Sequence, residues 1–495
     1  MGVRGPADVL VVVLDCVSAV DFTGGEKAVD GLTTSEELYR EGMVFPRAVA
    51  PASWTLPSHR GMFSGAYPWE HVATVSPRDG SPTENELLAQ TLKSIGYQTA
   101  SFSANPFISP SSGLLSGFDH SMWGSFSDCS LRKLTNWTSR PHTTESPAAR
   151  DRPTSRLSAA SRSRVANTVL KYPLVADVVN RVVADLLDRS VGTASRVAPW
   201  IEPAFDSWIR RAHRDRPIFA FINLLDAHEP YVGLPEKIAS YSDWLSPLLV
   251  SQQDRGRDGG AIEVGAGDGS ELRKLYRLSL KILDQRLSEI FQIFRNARDW
   301  THSCIIVTSD HGQAFGEQGL LFHATGTPDS VHRVPLIVKP AIQCGEPGLE
   351  RSWTSLVRLP RIALKSAGIE RELKSESKDG ASVGGRDSFV LSLADGMSLH
   401  ESSSKAFRRK ETNGGPSVVG YSGNYKVVAR VDNSATASFS SPDEGRSWKE
   451  TSSGIDSEVS RLIQAVTYAA GRMRQASMAS SSDATLRRLR GWGYE

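Results

Sequence analysis

Short and nearly continuous apolar runs recur along the chain, and several of them end in acidic residues. Runs of this length that are rich in β-branched or aromatic residues are typical of strands in a parallel sheet covered on both faces. The runs, with the polar residues that follow them, are DVLVVVLD ending at Asp15, RPIFAFINLLDAH reaching Asp226 and His228, and SCIIVTSDHG ending at Asp310 and His311. The pattern therefore predicts buried strands that are each followed by a polar group.

Helical patterns lie between these runs. Residues 84–96 predict a helix with one apolar side that stops at Gly96, and residues 272–297 predict a long amphipathic helix. Strands that alternate with helices predict an α/β fold: a doubly wound, mostly parallel sheet with helices on both faces. Ligands bind beyond the carboxyl ends of the strands in such sheets, so we expect the acids and histidines named above to share one edge. Oxygen and imidazole ligands gathered there indicate a metal site.

The chain divides into two parts by composition. We expect residues 1–370 to form the α/β domain, with surface insertions near 139–164, rich in Ser, Arg and Pro, and near 250–270, rich in Gly and Asp. Residues 371–495 are expected to form a smaller α+β region, because a linker-like stretch at 374–386 is followed by short apolar strands and a final helix.

Composition argues against several classes of partner. The 57 Lys and Arg residues against 55 Asp and Glu leave a formal charge of +2, too small to indicate nucleic-acid or bilayer binding by bulk charge. The four cysteines are far apart, which argues against a disulfide scaffold or a zinc framework. The first apolar run is too short to span a membrane and ends in an acid instead of a small-residue cleavage site, so we expect a cytoplasmic location. The sequence leaves the oligomeric state open.

A threonine in the stretch APASWTLPSHRGMFSG, residues 50–65, is a further candidate for chemistry. Thr55 is predicted to be the N-cap of a helix, with Pro57 in its first turn and His59 one turn further on. A helix N-terminus favours negative charge, and a divalent metal that coordinates a hydroxyl lowers its pKa, so Thr55 is a candidate nucleophile. Capping alone is the other explanation for the threonine.

The chain resembles the sulfatase family of the alkaline-phosphatase superfamily, because several short motifs occur in the order found in that family. These motifs are VLVVVLD, SWTLPSHRGMFSG, TLKSIGYQTASFSANPFI with GFD, DAHEPY, VTSDHGQAFGEQG, VHRVPLIVKP and the terminal LRGWGYE. The resemblance implies the doubly wound fold and a hydrolase that cleaves a sulfate or phosphate ester of a small anionic molecule.

The resemblance also implies one divalent metal ion. Calcium is the ion expected from the family, and magnesium, manganese and zinc are alternatives. Asp15, Asp310 and His311 match metal ligands at strand ends, and Thr55 is the fourth ligand. Thr55 stands where the family's Cys-x-Pro-Ser-Arg motif has the residue that is converted to formylglycine. Because threonine cannot undergo that conversion, phosphoester or phosphonate chemistry at an unmodified Thr55 is favoured over sulfate chemistry.

The other candidate site residues follow from the same resemblance. His228 corresponds to a histidine that contacts the substrate or the leaving group, and His323 lies near the position of a sulfate-binding lysine. His59 replaces the arginine that supports the nucleophile, and we include it among the catalytic candidates. The candidates for substrate binding are Asn105, Arg60 and Lys426.

Other interpretations stay open. The same fold can serve a phosphoryl-group transferase or a non-catalytic protein that keeps an anion pocket. Cys16 occupies the place of a second acid of the family, where a small buried thiol is favoured over a zinc-binding thiolate. A two-zinc pyrophosphatase is disfavoured, because Asp226 and His228 do not have the required Asp-x-x-x-His spacing.

Overall fold

The structure is a computed structural model. It describes residues 6–23, 28–70, 86–124, 142–143, 197–229, 231, 266–317, 321–323, 326–371, 373, 389–394, 417–432, 435–441, 448–450 and 457–480.

The strands and helices follow in chain order. The strands are β1 (Val9–Leu14), β2 (Met43–Val44), β3 (Ala48–Val49), β4 (Gln98–Ser103), β5 (His120–Trp123), β6 (His142–Thr143), β7 (Ile218–Leu224), β8 (Cys304–Thr308), β9 (Ala314–Phe315), β10 (Leu321–Phe322), β11 (Leu336–Lys339), β12 (Gly348–Leu349), β13 (Thr354–Ser355), β14 (Val390–Ala394), β15 (Ser417–Ser422), β16 (Tyr425–Arg430), β17 (Thr436–Ser440) and β18 (Lys449–Glu450). The helices are α1 (Ala19–Phe22), α2 (Thr33–Glu41), α3 (Thr55–Ser64), α4 (Leu88–Ser94), α5 (Ile201–Arg211), α6 (Ala266–Ala297), α7 (Asp329–His332), α8 (Leu359–Ser366) and α9 (Ser457–Ser480), and short 3₁₀ turns lie at Pro110–Ser112 and Leu356–Arg358.

The main sheet of the described residues has nine strands in the order β12-β2-β11-β8-β1-β7-β4-β5-β6. Its centre, from β8 to β5, is parallel, and β11 and β6 pair antiparallel on either side of that centre. The predicted doubly wound, mostly parallel sheet is therefore confirmed. Because the central strands run the same way, the ends of β1, β7 and β8 meet at one edge of the sheet.

Apolar clusters cover both faces of this sheet. In β1, Leu10 and Val12 belong to a cluster that includes side chains of α6, whereas Val11 and Val13 belong to a second cluster that includes side chains of α3 and α8. Successive side chains of a strand point to opposite faces, so a strand buried on both faces needs an apolar residue at every position. This is why β1 is an unbroken apolar run.

Both predicted helices are present, with differences at their first residues. The helix predicted over 84–96 spans Leu88–Ser94 and ends before Gly96. The long helix begins at Ala266, so the insertion predicted over 250–270 was wrong for its last five residues.

Parts of the predicted insertions and linker are not among the described residues. Residues 250–265 lie outside them, as does the linker-like stretch at 374–386. Of the insertion predicted over 139–164, residues 142–143 are described, and they pair with β5 as β6. These two residues extend the main sheet by one strand.

A second, antiparallel sheet follows the main one along the chain. β14 to β18 pair in sequence order, and α9 packs against them through Leu462 and Val466. The division of the chain at residue 371 stays a prediction. None of the described helices is both long and apolar enough to cross a bilayer.

The C-terminal sheet is hydrogen-bonded to the segment that leads into α3. Leu393 of β14 donates its N–H to the Pro51 carbonyl at 2.9 Å, and its carbonyl accepts from the Ser53 N–H at 2.9 Å. Next to this pairing, His332 Nδ1 lies 2.8 Å from Ser392 Oγ. The C-terminal sheet is therefore hydrogen-bonded to the residues directly before Thr55.

Candidate active site

Thr55 is the first residue of α3. Trp54 before it is extended (φ −155°, ψ 165°) and occupies the N-cap position without a side-chain hydrogen bond, so the prediction that Thr55 is the cap was wrong by one residue. One turn along, Ser58 Oγ donates to the Asp310 carbonyl at 2.5 Å. This bond fixes the start of the helix against the residues that follow β8.

Four side chains with electron-pair donors converge beside the start of α3. His311 Nε2 lies 3.5 Å from Thr55 Oγ1. It also lies 3.4 Å from Asp310 Oδ2 and 3.9 Å from Asp15 Oδ1. All four side chains are buried. They are the four that the sequence proposed as metal ligands, and the structure brings them together.

Hydrogen bonds indicate which His311 nitrogen faces this group. Nδ1 lies 3.1 Å from the Gly312 carbonyl, so we assign the proton to Nδ1, and Nε2 keeps its lone pair. Gly312 itself is required, because an added Cβ would stand 2.0 Å from the Ser330 carbonyl oxygen. Asp310 Oδ1 accepts the His311 N–H at 3.0 Å, whereas its buried Oδ2 has no hydrogen-bond partner among the described residues. The lone pairs of His311 Nε2 and Asp310 Oδ2 thus face each other, an arrangement that a bound cation would stabilise.

Electrostatics support the same conclusion. Burial and the nearby Asp15 carboxylate raise the pKa of Asp310 well above its ordinary value. Burial alone would also raise the pKa of Asp15, but His311, His228 and Asn105 bring it below its ordinary value. Burial lowers the pKa of His311 to about 3, so this imidazole is neutral near pH 7. Two buried acids beside a neutral imidazole fit a divalent cation, which would favour the ionised form of both acids.

His59 contacts the candidate metal centre from within α3. Its Nδ1 is 3.0 Å from the Thr55 carbonyl oxygen and 3.4 Å from Asp310 Oδ2. Its ring lies edge-on to Phe63 and Phe221, and burial lowers its pKa to about 4. These contacts reach the backbone of Thr55 and not its hydroxyl, so they orient the start of α3. A catalytic role for His59 stays a prediction.

Asn105 joins the candidate nucleophile to the acids. Its Nδ2 donates to Asp15 Oδ2 at 2.8 Å and to Thr55 Oγ1 at 3.2 Å. Its Oδ1 accepts from the Phe107 N–H at 2.9 Å, which fixes the orientation of the amide. The sequence proposed Asn105 as a substrate-binding residue; the structure adds a direct contact with the Thr55 hydroxyl.

A second group, which we call the thiol cluster, consists of Cys16, His228, Glu229 and His323. The His228 and His323 rings meet edge-on with centroids 4.9 Å apart, and His323 stacks on His311 at 4.6 Å. Cys16 Sγ lies 3.8 Å from His323 Nδ1. Both predicted histidines are therefore adjacent to the candidate metal centre.

Sequence reasoning missed Glu229, although it directly follows His228 in the DAHEPY motif. Its Oε1 lies 3.7 Å from His323 Nδ1, and its Oε2 lies 3.5 Å from His228 Nδ1. Gln313 Nε2 donates to Glu229 Oε2 at 2.7 Å and to the Tyr231 hydroxyl at 2.6 Å. Burial alone would raise the pKa of Glu229, but the two imidazoles and Gln313 lower it to about 2. Glu229 is thus a carboxylate.

Asp226 follows β7 at the carboxyl edge of the sheet, as expected, but its carboxylate is bound by Arg286 and by the Val197 N–H. Arg286 of α6 donates from Nη1 to Asp226 Oδ2 at 2.6 Å and holds Glu202 with two bonds, of 2.5 and 3.1 Å. The same guanidinium donates to the Val197 and Ala198 carbonyls at 2.6 and 3.3 Å. We call Arg286, Glu202 and Asp226 the arginine cluster.

The contacts found for Arg60 and Lys426 involve other parts of the chain. Arg60 Nη2 donates to the Ser112 carbonyl at 3.0 Å. Lys426 Nζ donates to Asp329 Oδ1 at 2.5 Å and to the Thr327 carbonyl at 2.7 Å. Substrate binding by either residue stays a prediction.

A buried centre of carboxylates, imidazole and hydroxyl at the carboxyl edge of a doubly wound sheet is typical of the alkaline-phosphatase superfamily. The chain belongs to the sulfatase family of that superfamily, because the Sulfatase family profile matches residues 7–343.

Two curated relatives resemble part of the chain. The multifunctional alkaline phosphatase superfamily protein PehA of Trinickia caryophylli is 23% identical over 180 residues, 31% of this chain and 35% of the relative. The choline-sulfatase of Rhizobium meliloti (strain 1021) is 27% identical over 182 residues, 34% of this chain and 35% of the relative. The matches therefore span about a third of the length of these relatives.

A solved structure resembles nearly the whole chain. The phosphonate monoester hydrolase of Agrobacterium radiobacter superposes with a TM-score of 0.58 at 17% identity, over 98% of this chain and 96% of the other. At this identity the likeness supports the fold alone.

Proposed function

We propose that the protein hydrolyses a small anionic ester, with Thr55 Oγ1 as the nucleophile and a phosphate ester or phosphonate ester as the preferred substrate. The observation that carries the proposal is the position of this oxygen, 3.5 Å from His311 Nε2 and 3.2 Å from Asn105 Nδ2. Trp54 holds the N-cap position, so capping does not account for the threonine.

The same centre is suited to a divalent ion. The residues that would hold it are Asp15, Asp310, His311 and Thr55. When bound, such an ion lowers the pKa of the hydroxyl and stabilises negative charge on an ester oxygen. An imidazole among the ligands suits manganese or zinc better than calcium, which prefers oxygen ligands, so all three belong in the test together with magnesium.

The surroundings of Thr55 favour attack on an anion. In the first turn of a helix the N–H groups have no intrahelical acceptor, so those of Thr55 and Leu56 favour an anionic ester there. The hydrogen bond from Asn105 Nδ2 favours the alkoxide form of Thr55 over the hydroxyl. The alkoxide oxygen bonds to phosphorus as the bond from phosphorus to the leaving oxygen breaks. Water then attacks phosphorus, breaks its bond to Thr55 Oγ1 and returns a proton to that oxygen.

The leaving oxygen needs a proton, and two imidazoles lie nearby. His228 and His323 meet edge-on beside His311, and the His228 side chain is 25% exposed, so it can exchange protons with solvent. Proton donation by either ring would complete the first step.

Sulfate and phosphonate esters are both represented among the similar proteins by name, as a choline-sulfatase and a phosphonate monoester hydrolase. Thr55 cannot become formylglycine, which favours the phosphorus esters. If an alcohol replaces water in the second step, the phosphorus group is transferred from Thr55 to that alcohol, and the enzyme acts as a transferase.

The test is a rate survey over aryl sulfate, phosphate monoester, phosphate diester and phosphonate monoester, each with calcium, magnesium, manganese or zinc. We expect turnover of at least one phosphorus ester, and a loss of about 10³-fold or more in Thr55→Ala. Thr55→Ser should keep part of the activity, because it keeps the hydroxyl.

Thr91→Ala is the matched control, since Thr91 is a buried threonine of α4 outside the site. It should turn over substrate like the wild type. A Thr55→Ala protein with the wild-type rate would exclude the nucleophile role, and no turnover of any ester would favour an anion-binding protein.

A further inference from the structure

We propose that the thiol cluster is a second metal site, adjacent to the first, and that it takes a soft divalent transition ion of the zinc class. The proposal goes beyond the single-ion centre proposed above. One ligand atom from each of Cys16, His228, Glu229 and His323 lies within 4.8 Å of every other. Such convergence of sulfur, two nitrogens and a carboxylate is the pattern of a four-ligand metal site.

The measured separations approach those of a tetrahedral site. With metal–ligand bonds of about 2.0–2.3 Å, the edges of the ligand tetrahedron are about 3.3–3.6 Å. Cys16 Sγ lies 3.8 Å from His323 Nδ1, and His323 Nδ1 lies 3.7 Å from Glu229 Oε1. Small side-chain movements would therefore bring the ligands to bonding distance.

The chemistry of the donors selects the ion. Thiolate and imidazole ligands bind zinc and similar ions, whereas calcium and magnesium prefer oxygen. The first centre has carboxylates, one imidazole and a hydroxyl as donors, so the two centres differ in the softness of their ligands.

Neighbouring residues hold the ligands in place. Gln313 Nε2 binds Glu229 Oε2 and the Tyr231 hydroxyl, which leaves Glu229 Oε1 towards His323. Gln313 Oε1 also lies 3.0 Å from His323 Nδ1, so ligation through that nitrogen would exchange one hydrogen bond for a metal bond. Hydrogen bonds to metal ligands, such as the one from Gln313 Nε2 to Glu229, are usual at metal sites.

The backbone is strained at one member of the thiol cluster and at the residue before another. Cys16 (φ +67°) and Phe322 (φ +68°), which precedes His323, adopt the left-handed conformation that non-glycine residues avoid. The Tyr276 hydroxyl donates to the Cys16 carbonyl at 3.2 Å and holds this conformation. The strain is consistent with a thiol that is oriented for a ligand.

Cys16 could instead serve the first centre, since its thiol also lies close to Asp15 and His311. The proposal assigns it to His228, Glu229 and His323. Occupied in this way, the cluster would balance the charge of the ion with the Cys16 thiolate and the Glu229 carboxylate, and its two histidines would be ligands instead of proton donors.

The experiment is a cobalt titration of the full-length protein after removal of bound metal. Cobalt replaces zinc in such sites, and a thiolate ligand gives it a sulfur-to-metal charge-transfer absorption that oxygen and nitrogen ligands do not give. We expect two equivalents of cobalt by equilibrium dialysis, and charge-transfer absorption from one of them. Absence of this absorption at saturating cobalt would overturn the proposal.

Variants assign the thiolate to one centre. His323→Ala and the isosteric Glu229→Gln should each lose one equivalent and weaken or abolish the absorption, whereas Asp310→Asn should lose the other equivalent and keep it. Cys344→Ser, which removes a partly exposed thiol outside the site, should keep both equivalents and the absorption. Absorption that disappears in Asp310→Asn and persists in His323→Ala would assign Cys16 to the first centre and overturn the proposal.

These readouts do not depend on turnover. If Thr55→Ala left the rate unchanged, the nucleophile proposal would fail while the cobalt result would still decide the second site.

Discussion

Two buried groups of acids in this protein differ in how their charge is balanced. In the arginine cluster, the Arg286 guanidinium bonds both carboxylates, at 2.5 to 3.1 Å, and two backbone carbonyls. At the candidate metal centre, Asp15 and Asp310 face a neutral His311, and Asp310 Oδ2 has no hydrogen-bond partner among the described residues.

The difference separates a structural group from a candidate functional one. Burying a charge is costly unless it is paired, so a buried acid whose partner the chain supplies stabilises the fold. A buried acid whose partner the chain does not supply takes up a proton or binds a cation from outside. Asp226 and Asp310 both follow strands of the same sheet, yet they fall on opposite sides of this division.

The largest expected effect is on activity. Asp310→Asn should reduce turnover by about 10³-fold or more, because it removes one of the proposed metal ligands. Without metal, the same protein should be as stable as the wild type or more stable, because a buried carboxylate next to Asp15 is gone. Steady-state rates test the predicted loss of turnover, and denaturant unfolding in the presence of chelator tests the predicted stability. A metal-free variant several kcal/mol less stable than the wild type would refute the comparison.

The next largest effect is on stability. Arg286→Met should lower the free energy of unfolding by about 3–5 kcal/mol, because it leaves two buried carboxylates without a cation. The matched control is Arg295→Met on the same helix, whose partner Glu37 is 44% exposed and whose own side chain is 35% exposed. That substitution should cost no more than about 1 kcal/mol. Equal losses would mean that burial of the arginine cluster has no special role.

Metal should stabilise one group and not the other. An ion at about 100 times its dissociation constant adds about 2.7 kcal/mol to the free energy of unfolding. We expect this gain for each ion bound, so the wild type and Arg286→Met should gain more than Asp310→Asn, which keeps only the ion of the thiol cluster. Thermal unfolding with and without chelator measures it. The same shift in all three proteins would place the ion elsewhere.

The smallest effect concerns a paired acid nearer the surface. Burial alone would raise the pKa of Asp329, but Lys426 and Arg333 lower it below its ordinary value of 3.8. The stabilisation is therefore complete above this ordinary value and is lost as the pH falls through the lower pKa of the folded state. Lys426→Met should cost about 1–2 kcal/mol near neutral pH.

The pH dependence is the check on this last effect. The stability difference between wild type and Lys426→Met should shrink as the pH falls below 3.8. Lys449→Met, at an exposed position of β18, is the control and should stay within about 0.5 kcal/mol of the wild type. A difference that is constant with pH would mean that Lys426 acts through packing alone.

The sequence predicted the features that depend on local pattern. The apolar run of β1 and its following Asp15 could be predicted because a strand buried on both faces is apolar at every position. The same reasoning predicted Asp310 and His311 after β8, and a helix N-terminus predicted Thr55 to within one residue.

Features that depend on distant partners could not be predicted. Asp226 occupies a position like that of Asp310 in the pattern, and only the fold brings Arg286, 60 residues away, against it. Residues 266–270 read as a loop because of their glycines, yet they are helical where α6 passes β9. An added Cβ on Gly269 would stand 1.9 Å from the Phe315 carbonyl oxygen, so this close contact requires glycine at position 269.

The pairing of Leu393 with Pro51 and Ser53 bears on how the chain can be shortened. The backbone groups of Pro51 and Ser53 that β14 satisfies lie just before α3. A shortened protein that ends after the main sheet would expose these backbone groups to water and release the segment that leads to Thr55. The C-terminal sheet therefore supports the segment that positions Thr55. Expression of the first part alone should yield protein with a displaced Thr55, even if its own sheet folds.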